Sequence, residues 1–339
     1  MRWRWRLRGE DGYRQAMPLS RRTLLAASLA VPLIGTARAD TYPDRPIRLV
    51  VPFAPGGNAD LTGRVFGEAL GQRLGQQVVI DNRGGAGGAI GAEQVAKASP
   101  DGYTLVLGST GTFLVSPRMT GSKPPYSLAN FAPVALLSTS AMVIEVTAKN
   151  EIKDWPAMLA YLKANPGKLS IGHPGNGSSN HLAVLRLQQA LGVRFNTIPY
   201  KSNGLALNDL LAGQIDAVID QVPASIGHIR EGRLRAIAVT TAKRARELPD
   251  TPTLAELGVT GFDAATPIIL MAPAGTPAEI VAKLNATVNQ SLSDPAVGQR
   301  LNELGADTEA MTPQALGAML QREDAGIVAL EAAGLLKAQ

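Results

Sequence analysis

The sequence predicts an α/β protein built from mostly parallel sheets flanked by helices and organised as two units. Three observations carry this prediction. An apolar run, Ile47–Val51, breaks at Pro52 into the glycine-bearing loop Pro55-Gly56-Gly57-Asn58-Ala59-Asp60, and a helical pattern of Leu61, Val65 and Ala69 follows. Strand, loop and helix then alternate as β-α-β-α-β to about Leu107, the order that gives a doubly wound parallel sheet. A second strand-loop-helix unit begins at Leu169-Ser170-Ile171 and passes through Gly175-Asn176-Gly177-Ser178-Ser179, and further strand and helix patterns continue to Thr240.

The N-terminus is set apart from the fold. Ser20-Arg21-Arg22-Thr23-Leu24-Leu25 is a twin-arginine-like start, Leu24 to Ile34 is a short apolar segment, and Ala37-Arg38-Ala39 is a small-residue cleavage site. Residues 1–39 therefore read as a removed export signal, with the mature chain starting near Asp40 and the periplasm as its destination. Met1 and Met17 both stand as possible starts. The chain holds 33 Lys and Arg and 28 Asp and Glu. Residues 1–39 contain eight Arg against Glu10 and Asp11, which leaves 25 basic and 26 acidic residues. The mature protein is thus close to neutral, and its charge implies no nucleic-acid partner. The absence of cysteine excludes disulfides and a lipoprotein anchor, and three His without Cys give no structural zinc pattern. The reading is of a freely diffusing monomer with no metal and no cofactor.

In order, the first helix runs to about Leu74 with Gly75 as its C-terminal cap. Gln77–Asp81 is a second strand. Gly84-Gly85-Ala86-Gly87-Gly88 follows without the Lys-Ser/Thr end of a phosphate loop, so it reads as a turn with close backbone packing. Tyr103–Leu107 is a third strand, and Gly108-Ser109-Thr110-Gly111-Thr112 lies at its carboxyl end, where open α/β sheets bind ligands. Phe131–Leu137 and Met142–Ala148 read as two strands joined at Ser138–Ser140, and the crossover between units is placed there. Asp154 caps the next helix. Thr197–Tyr200, Ala217–Asp220 and Ala236–Thr240 are strands, separated by helices at Leu205–Leu211 and Pro223–Arg230. After the strand Ile268–Ala272, Thr276-Pro277-Ala278-Glu279 reads as a capping box, and Asp294-Pro295 and Thr312-Pro313 start two more helices. These C-terminal helices pair with too few strands to stand alone, so they pack on the first unit. The expected division is 40–140 plus 261–339 for the first lobe and 141–260 for the second, with a cleft between.

Both glycine loops end at helix N-termini, whose first amides lack helical partners and carry the positive end of the dipole. Two such ends facing a cleft form a receptor for a small carboxylate. Asp60 stabilises its helix end and ties down loop amides, with Arg64 placed to pair with it; Ser178 is an N-cap whose loop is free to hold an anion. Asp220, at a strand end, either caps the helix near Pro223 or faces an amine or hydroxyl of the ligand. Ser178 and Ser179 with His173 and His181 supply the residue types of a hydrolase, but the loop is not Gly-x-Ser-x-Gly. Tyr200 and Lys201 belong to the cleft rim.

At these residues the chain resembles the substrate-binding proteins of tripartite tricarboxylate transporters, the Bug-type periplasmic receptors. The resemblance rests on Pro52-Phe53-Ala54-Pro55-Gly56-Gly57 with Asp60 and Arg64, on Asp81-Asn82-Arg83 with the run Gly85–Gly91, and on Ala98–Leu105. Asn165–Leu169, Gly175–Ser179 with His181, Pro199-Tyr200-Lys201, Asp209–Gly213, Leu234–Thr240, Leu248–Thr253 and Ala272–Pro277 extend it over nearly the whole mature chain. It implies a two-lobed, Venus-flytrap receptor of the type II periplasmic binding class. It further implies a ligand carboxylate held by the first loop (Phe53, Ala54, Gly56, Gly57, Asn58, Asp60) and by Gly175, Asn176, Gly177, Ser178 and Ser179. Ser109, Thr110, Gly111 and Asp220 then line the pocket. The function implied is delivery of a small carboxylate to membrane transporter subunits. A receptor that feeds a membrane sensor kinase is the alternative, and a periplasmic hydrolase is the more distant one.

Overall fold

A computed structural model of the chain describes residues 42–120, 123–332, 334 and 336; the export signal read at 1–39 lies outside them. The observed order is β1 (Ile47–Val51), α1 (Asn58–Leu74), β2 (Val78–Asn82), α2 (Ala89–Ala96), β3 (Thr104–Gly108), a π-helical turn (Gly111–Val115) and α3 (Ser116–Met119). Then come β4 (Phe131–Thr147), α4 (Trp155–Ala164), β5 (Ser170–His173), α5 (Ser179–Leu191), β6 (Asn196–Pro199), α6 (Asn203–Leu211), β7 (Ala217–Gln221), α7 (Val222–Arg230) and β8 (Leu234–Val239). β9 (Ala265–Pro273), α8 (Ala278–Leu292), α9 (Pro295–Leu304) and α10 (Pro313–Ala332) complete it.

Strands run in the order β2-β1-β3-β9-β4-β7-β5-β6, and β8 pairs β4 as well. β1 is parallel to β2 and β3, and β5 is parallel to β6 and β7; β9 and β4 join these two parallel sets through antiparallel pairs. β4 departs from the expected pair of strands. It is one strand of 17 residues that pairs β9 over Phe131–Ala141 and then β7 and β8 from Met142 onward. The Ser138–Ser140 stretch does not break it, because each residue there keeps a β9 partner and Thr139 also bridges Asp307. Register shifts between Pro133 and Ala135 and between Leu136 and Ser138 follow Pro133, which cannot donate to the ladder.

Two hydrophobic layers cover the first parallel set. One gathers Leu49, Phe66, Leu70 and Leu107 with Ile280, Leu284, Val288 and Leu301; the other gathers Val50, Val106, Phe113 and Met271 with Leu316, Leu320 and Ile327. The C-terminal helices α8, α9 and α10 thus pack on the sheet of β1 and β3. A separate core joins Met158, Leu162, Ile171, Val184, Leu187 and Ile219 around β5 and β7.

The local signals behave as the chemistry requires. Gly75 closes α1 in the left-handed region at φ 68°, and Asp154 caps α4 by accepting the Ala157 amide at 2.9 Å. The capping box expected at Thr276 is absent: α8 begins after Pro277 with no side-chain cap, and the Thr276 hydroxyl instead donates to the Pro273 carbonyl at 2.8 Å.

Candidate functional site

The carboxyl ends of β1, β3, β5, β6 and β7 point to one region, where a small cavity lies. Phe53, Gly57, Asn58 and Ala59 line it from the first glycine loop and Ser109 from the end of β3. Pro174, Ser178, Ser179 and Asn180 line it from the second loop, and Ser202 and Asn203 from the start of α6. Gln221, Thr266 and Ile268 complete the wall. Three helices of nine or more residues, α1, α5 and α6, therefore present their N-terminal ends to one cavity. Among the described residues of the lining there is no Lys, Arg or His.

The two loops are braced differently. In the first, the buried Asp60 carboxylate accepts the Gly56 amide at 3.1 Å, Arg64 Nε at 3.0 Å and Asn82 Nδ2 at 3.0 Å, and Asn82 Nδ2 also reaches the Phe53 carbonyl. In the second, the Ser178 hydroxyl caps α5 by accepting the His181 amide at 3.2 Å. The His181 ring accepts the Gly177 amide at Nδ1, and the His173 ring lies at hydrogen-bond distance from the Gly175 carbonyl. The two rings stack at 4.5 Å between centroids, both buried. Burial pulls His173 down to about 3, with His181 beside it adding to the effect, and burial alone pulls His181 down to about 4. Both are neutral struts at physiological pH. The serines are engaged elsewhere: Ser179 Oγ donates to Ser109 Oγ at 3.1 Å and accepts the Gly111 amide at 3.1 Å. The arrangement is that of a braced loop and not of a nucleophile with its base.

Each loop also packs against a further segment. The Ala54 amide donates to the Lys201 carbonyl at 3.1 Å. A Cβ on Gly111 would meet Ser179 N and lie 2.6 Å from the Ser178 carbonyl carbon; on Gly175 it would lie 2.6 Å from Gly87 N, and on Gly177 2.5 Å from Ser116 Cα. The glycines are the condition for this approach.

Of the residues singled out in the sequence, Phe53, Gly57, Asn58, Ser109, Ser178 and Ser179 line the cavity. Ala54, Gly56, Asp60, Gly111, Gly175 and Gly177 act through the braces and contacts just given. Thr110 stands at the start of the π-helical turn, and the Asn176 carbonyl faces Gly87. Asp220 is fully buried behind the wall: its Oδ1 accepts Asn203 Nδ2 and, at 2.7 Å, the Gln221 amide, and α7 takes Gln221 as its N-cap. Burial raises Asp220 to about 7, against the pull of those two hydrogen bonds, and burial and then Asp220 raise the fully buried Glu145. Sequence reasoning missed the start of α6 and the wall made by Asn180, Gln221 and Thr266. Ser202-Asn203 after the strand at Pro199 was a legible strand-loop-helix signal; the Gln221–Thr266 contact, across 45 residues, left none.

This geometry is that of a two-lobed periplasmic binding protein. Residues 62–330 match the tripartite tricarboxylate transporter family receptor, TctC, and the chain belongs to that family. It is similar to the structure of the periplasmic binding protein BugD, at 37% identity and a TM-score of 0.82 over 87% of this chain and 100% of that one. It is similar to MatC from Rhodopseudomonas palustris with bound malate, at 35% identity and a TM-score of 0.80 over 84% and 98%. It is likewise similar to Rpa4515 from R. palustris with adipate, at 35% and 0.82 over 86% and 98%. Among the described residues no helix is long and apolar enough to cross a membrane.

Proposed function

We propose that this protein is an exported periplasmic receptor that closes on one small carboxylate and hands it to a tripartite membrane transporter. The observation that carries the reading is the convergence of the α1, α5 and α6 N-termini on a cavity without a cationic side chain. Amides at helix ends hold an anion by dipole and hydrogen bond. At roughly 1.5–3 kcal/mol for each bond to a charged acceptor, a few of them reach micromolar affinity. Similarity to proteins bound to malate and adipate supports the same ligand class here.

The lobes divide as 40–140 plus 261–339 and 141–260. The exchange of β4 partners between Ala141 and Met142 supports that boundary. The interlobe contacts at Ala54, Gly111 and Gly175 support a closed state reached by a hinge motion at β4 and β9.

The test is to purify the chain from Asp40, denature it and identify the small molecule released by mass spectrometry. A carboxylate in stoichiometric amount is the expected result. A preparation that releases none, and shows neither heat of binding nor compaction in solution scattering with any carboxylate of a broad panel, overturns the reading.

A further inference from the structure

One corner of the cavity holds buried polar atoms without partners. Asn58 on α1, Asn203 at the start of α6 and Ser202 just before it all line the cavity, and they are exposed by 3%, 3% and 1%. Asn58 Nδ2, Ser202 Oγ and Asn203 Oδ1 each lack a hydrogen-bond partner. The three residues belong together across the cleft, since a Cβ on Gly57, next to Asn58, would lie 3.7 Å from Asn203 N and 3.8 Å from Ser202 Cβ.

Their chemical sense is fixed by what surrounds them. Asn203 Nδ2 donates to both Asp220 Oδ1 and Gln221 Oε1, so both amide hydrogens are spent on oxygens and Oδ1 is left as an acceptor. Asn58 Oδ1 accepts the Thr62 hydroxyl at 3.5 Å, which leaves Nδ2 as a donor. The Ser202 hydroxyl is free to do either. Gln221 offers nothing further, because its Nε2 donates to Asn180 Oδ1 at 2.7 Å and Thr266 Oγ1 at 3.1 Å. The corner thus presents one donor, one acceptor and one group that is both.

We propose that the Asn58–Ser202–Asn203 corner is a subsite for a neutral ligand group that both donates and accepts hydrogen bonds, so that the ligand is a small carboxylate bearing a hydroxyl or carboxamide. A second carboxylate has no hydrogen to give and leaves Asn203 Oδ1 facing a negative oxygen. An ammonium has no lone pair for Asn58 Nδ2. A methyl group leaves all three atoms unpaired in a buried site, and each such loss weakens binding. This subsite rests on the receptor reading above and narrows it, setting this cavity apart from one built for a simple diacid.

The experiment is calorimetric titration of the mature chain, stripped of ligand by unfolding and refolding, with a matched panel. Succinamate and 4-hydroxybutyrate stand against succinate, 4-aminobutyrate and butyrate, with the five- and six-carbon homologues of each. Succinamate, 4-hydroxybutyrate or a homologue should bind about tenfold or more tighter than the diacid, amino and alkyl members of its length, the cost of leaving a buried group unpaired. In Asn58→Asp the corner loses its donor, and preference should turn towards the 4-aminobutyrate series; an acid in the first turn of α1 suits the helix end, so the variant should keep its thermal midpoint. Diacids that bind as tightly as the amides, or equal affinity for all members including butyrate, overturn the subsite and leave the carboxylate receptor standing. A panel with no binding at all overturns the subsite and leaves the receptor reading to its own test on the co-purified ligand.

Discussion

The two glycine loops do the same work by different means. The first is organised around one buried carboxylate: Asp60 gathers a backbone amide, an asparagine and an arginine. The second has no charged brace, and a serine cap and two stacked neutral histidines hold it. Their glycines differ as well. In the first loop, Gly56 has φ 91° and open space around it, so it serves the turn. In the second, Gly175 and Gly177 combine positive φ with backbone of the facing segment within 2.5–2.6 Å of where a Cβ would sit. The first loop is therefore braced from within, while the second packs its backbone closely against Gly87 and Ser116. Two strand-loop-helix units with similar sequence logic are held by different means.

The largest expected effect breaks the closing contact alone. Gly111 has no positive φ, so Ala is acceptable to its backbone, yet the new methyl meets Ser178 and Ser179 across the cleft. Gly111→Ala should lower affinity for the co-purified ligand by about a hundredfold, roughly 2.7 kcal/mol, in a titration. The thermal midpoint of the ligand-free protein should not fall. A variant that binds normally would show that the cleft closes less tightly than this contact requires.

Next in size is the brace of the first loop. Asp60→Ala takes the acceptor from the Gly56 amide and from one Asn82 hydrogen, both part-buried bonds to a charged group, while the loss of Arg64, a half-exposed partner, adds little. A loss of about 2 kcal/mol is expected in urea unfolding. Asp60→Asn keeps one acceptor and should lose less.

How much of this division is legible in the sequence follows from how far each signal reaches. Caps, glycine turns and strand-loop-helix units are local, so Gly75, Asp154, Ser178 and both loops can be read from the residues beside them. β4 cannot, because its continuity through Ser138–Ser140 depends on β9, more than a hundred residues away. The wall was missed because its partners are distant in sequence. At the end of β7 Gln221 reaches the cavity, while Asp220, one residue earlier, stays behind it, sharing Asn203 Nδ2 with Gln221 and raising the buried Glu145. Sequence marks the conspicuous carboxylate, and the fold gives its neighbour the wall.

The histidine pair separates the loops by pH. In the fold His173 and His181 lie at about 3 and 4, whereas unfolded histidines titrate near 6.5. Between those limits the unfolded chain binds more protons, so this contribution to stability is full above about pH 6.5 and is lost as pH falls towards 4. Asp220 has the opposite sign. Raised to about 7, it holds a proton in the fold that the unfolded chain releases, so its contribution is full below about pH 4 and is lost as pH rises through 7. The double variant H173Q/H181Q should therefore lose the acid-side fall in urea midpoint, and its stability should rise on going from pH 6.5 to 4. An unchanged acid limb would place the sensitivity elsewhere.

The smallest effect tests whether the loops are interchangeable at their caps. α1 starts at Gly57 with no side-chain cap, and α5 starts at Ser178 with one. Ser178→Ala should cost about 1 kcal/mol, and Ser178→Gly only a few tenths, since glycine is itself a tolerated cap. The Ser178 hydroxyl accepts the His181 amide and keeps its own hydrogen to donate. A Ser178→Gly variant that binds the co-purified ligand within a few-fold of the parent would leave the loop's backbone amides as its means of holding the anion. A tenfold loss of affinity at unchanged stability would instead make the hydroxyl a direct ligand contact, and the second loop would hold its anion with a side chain where the first uses backbone.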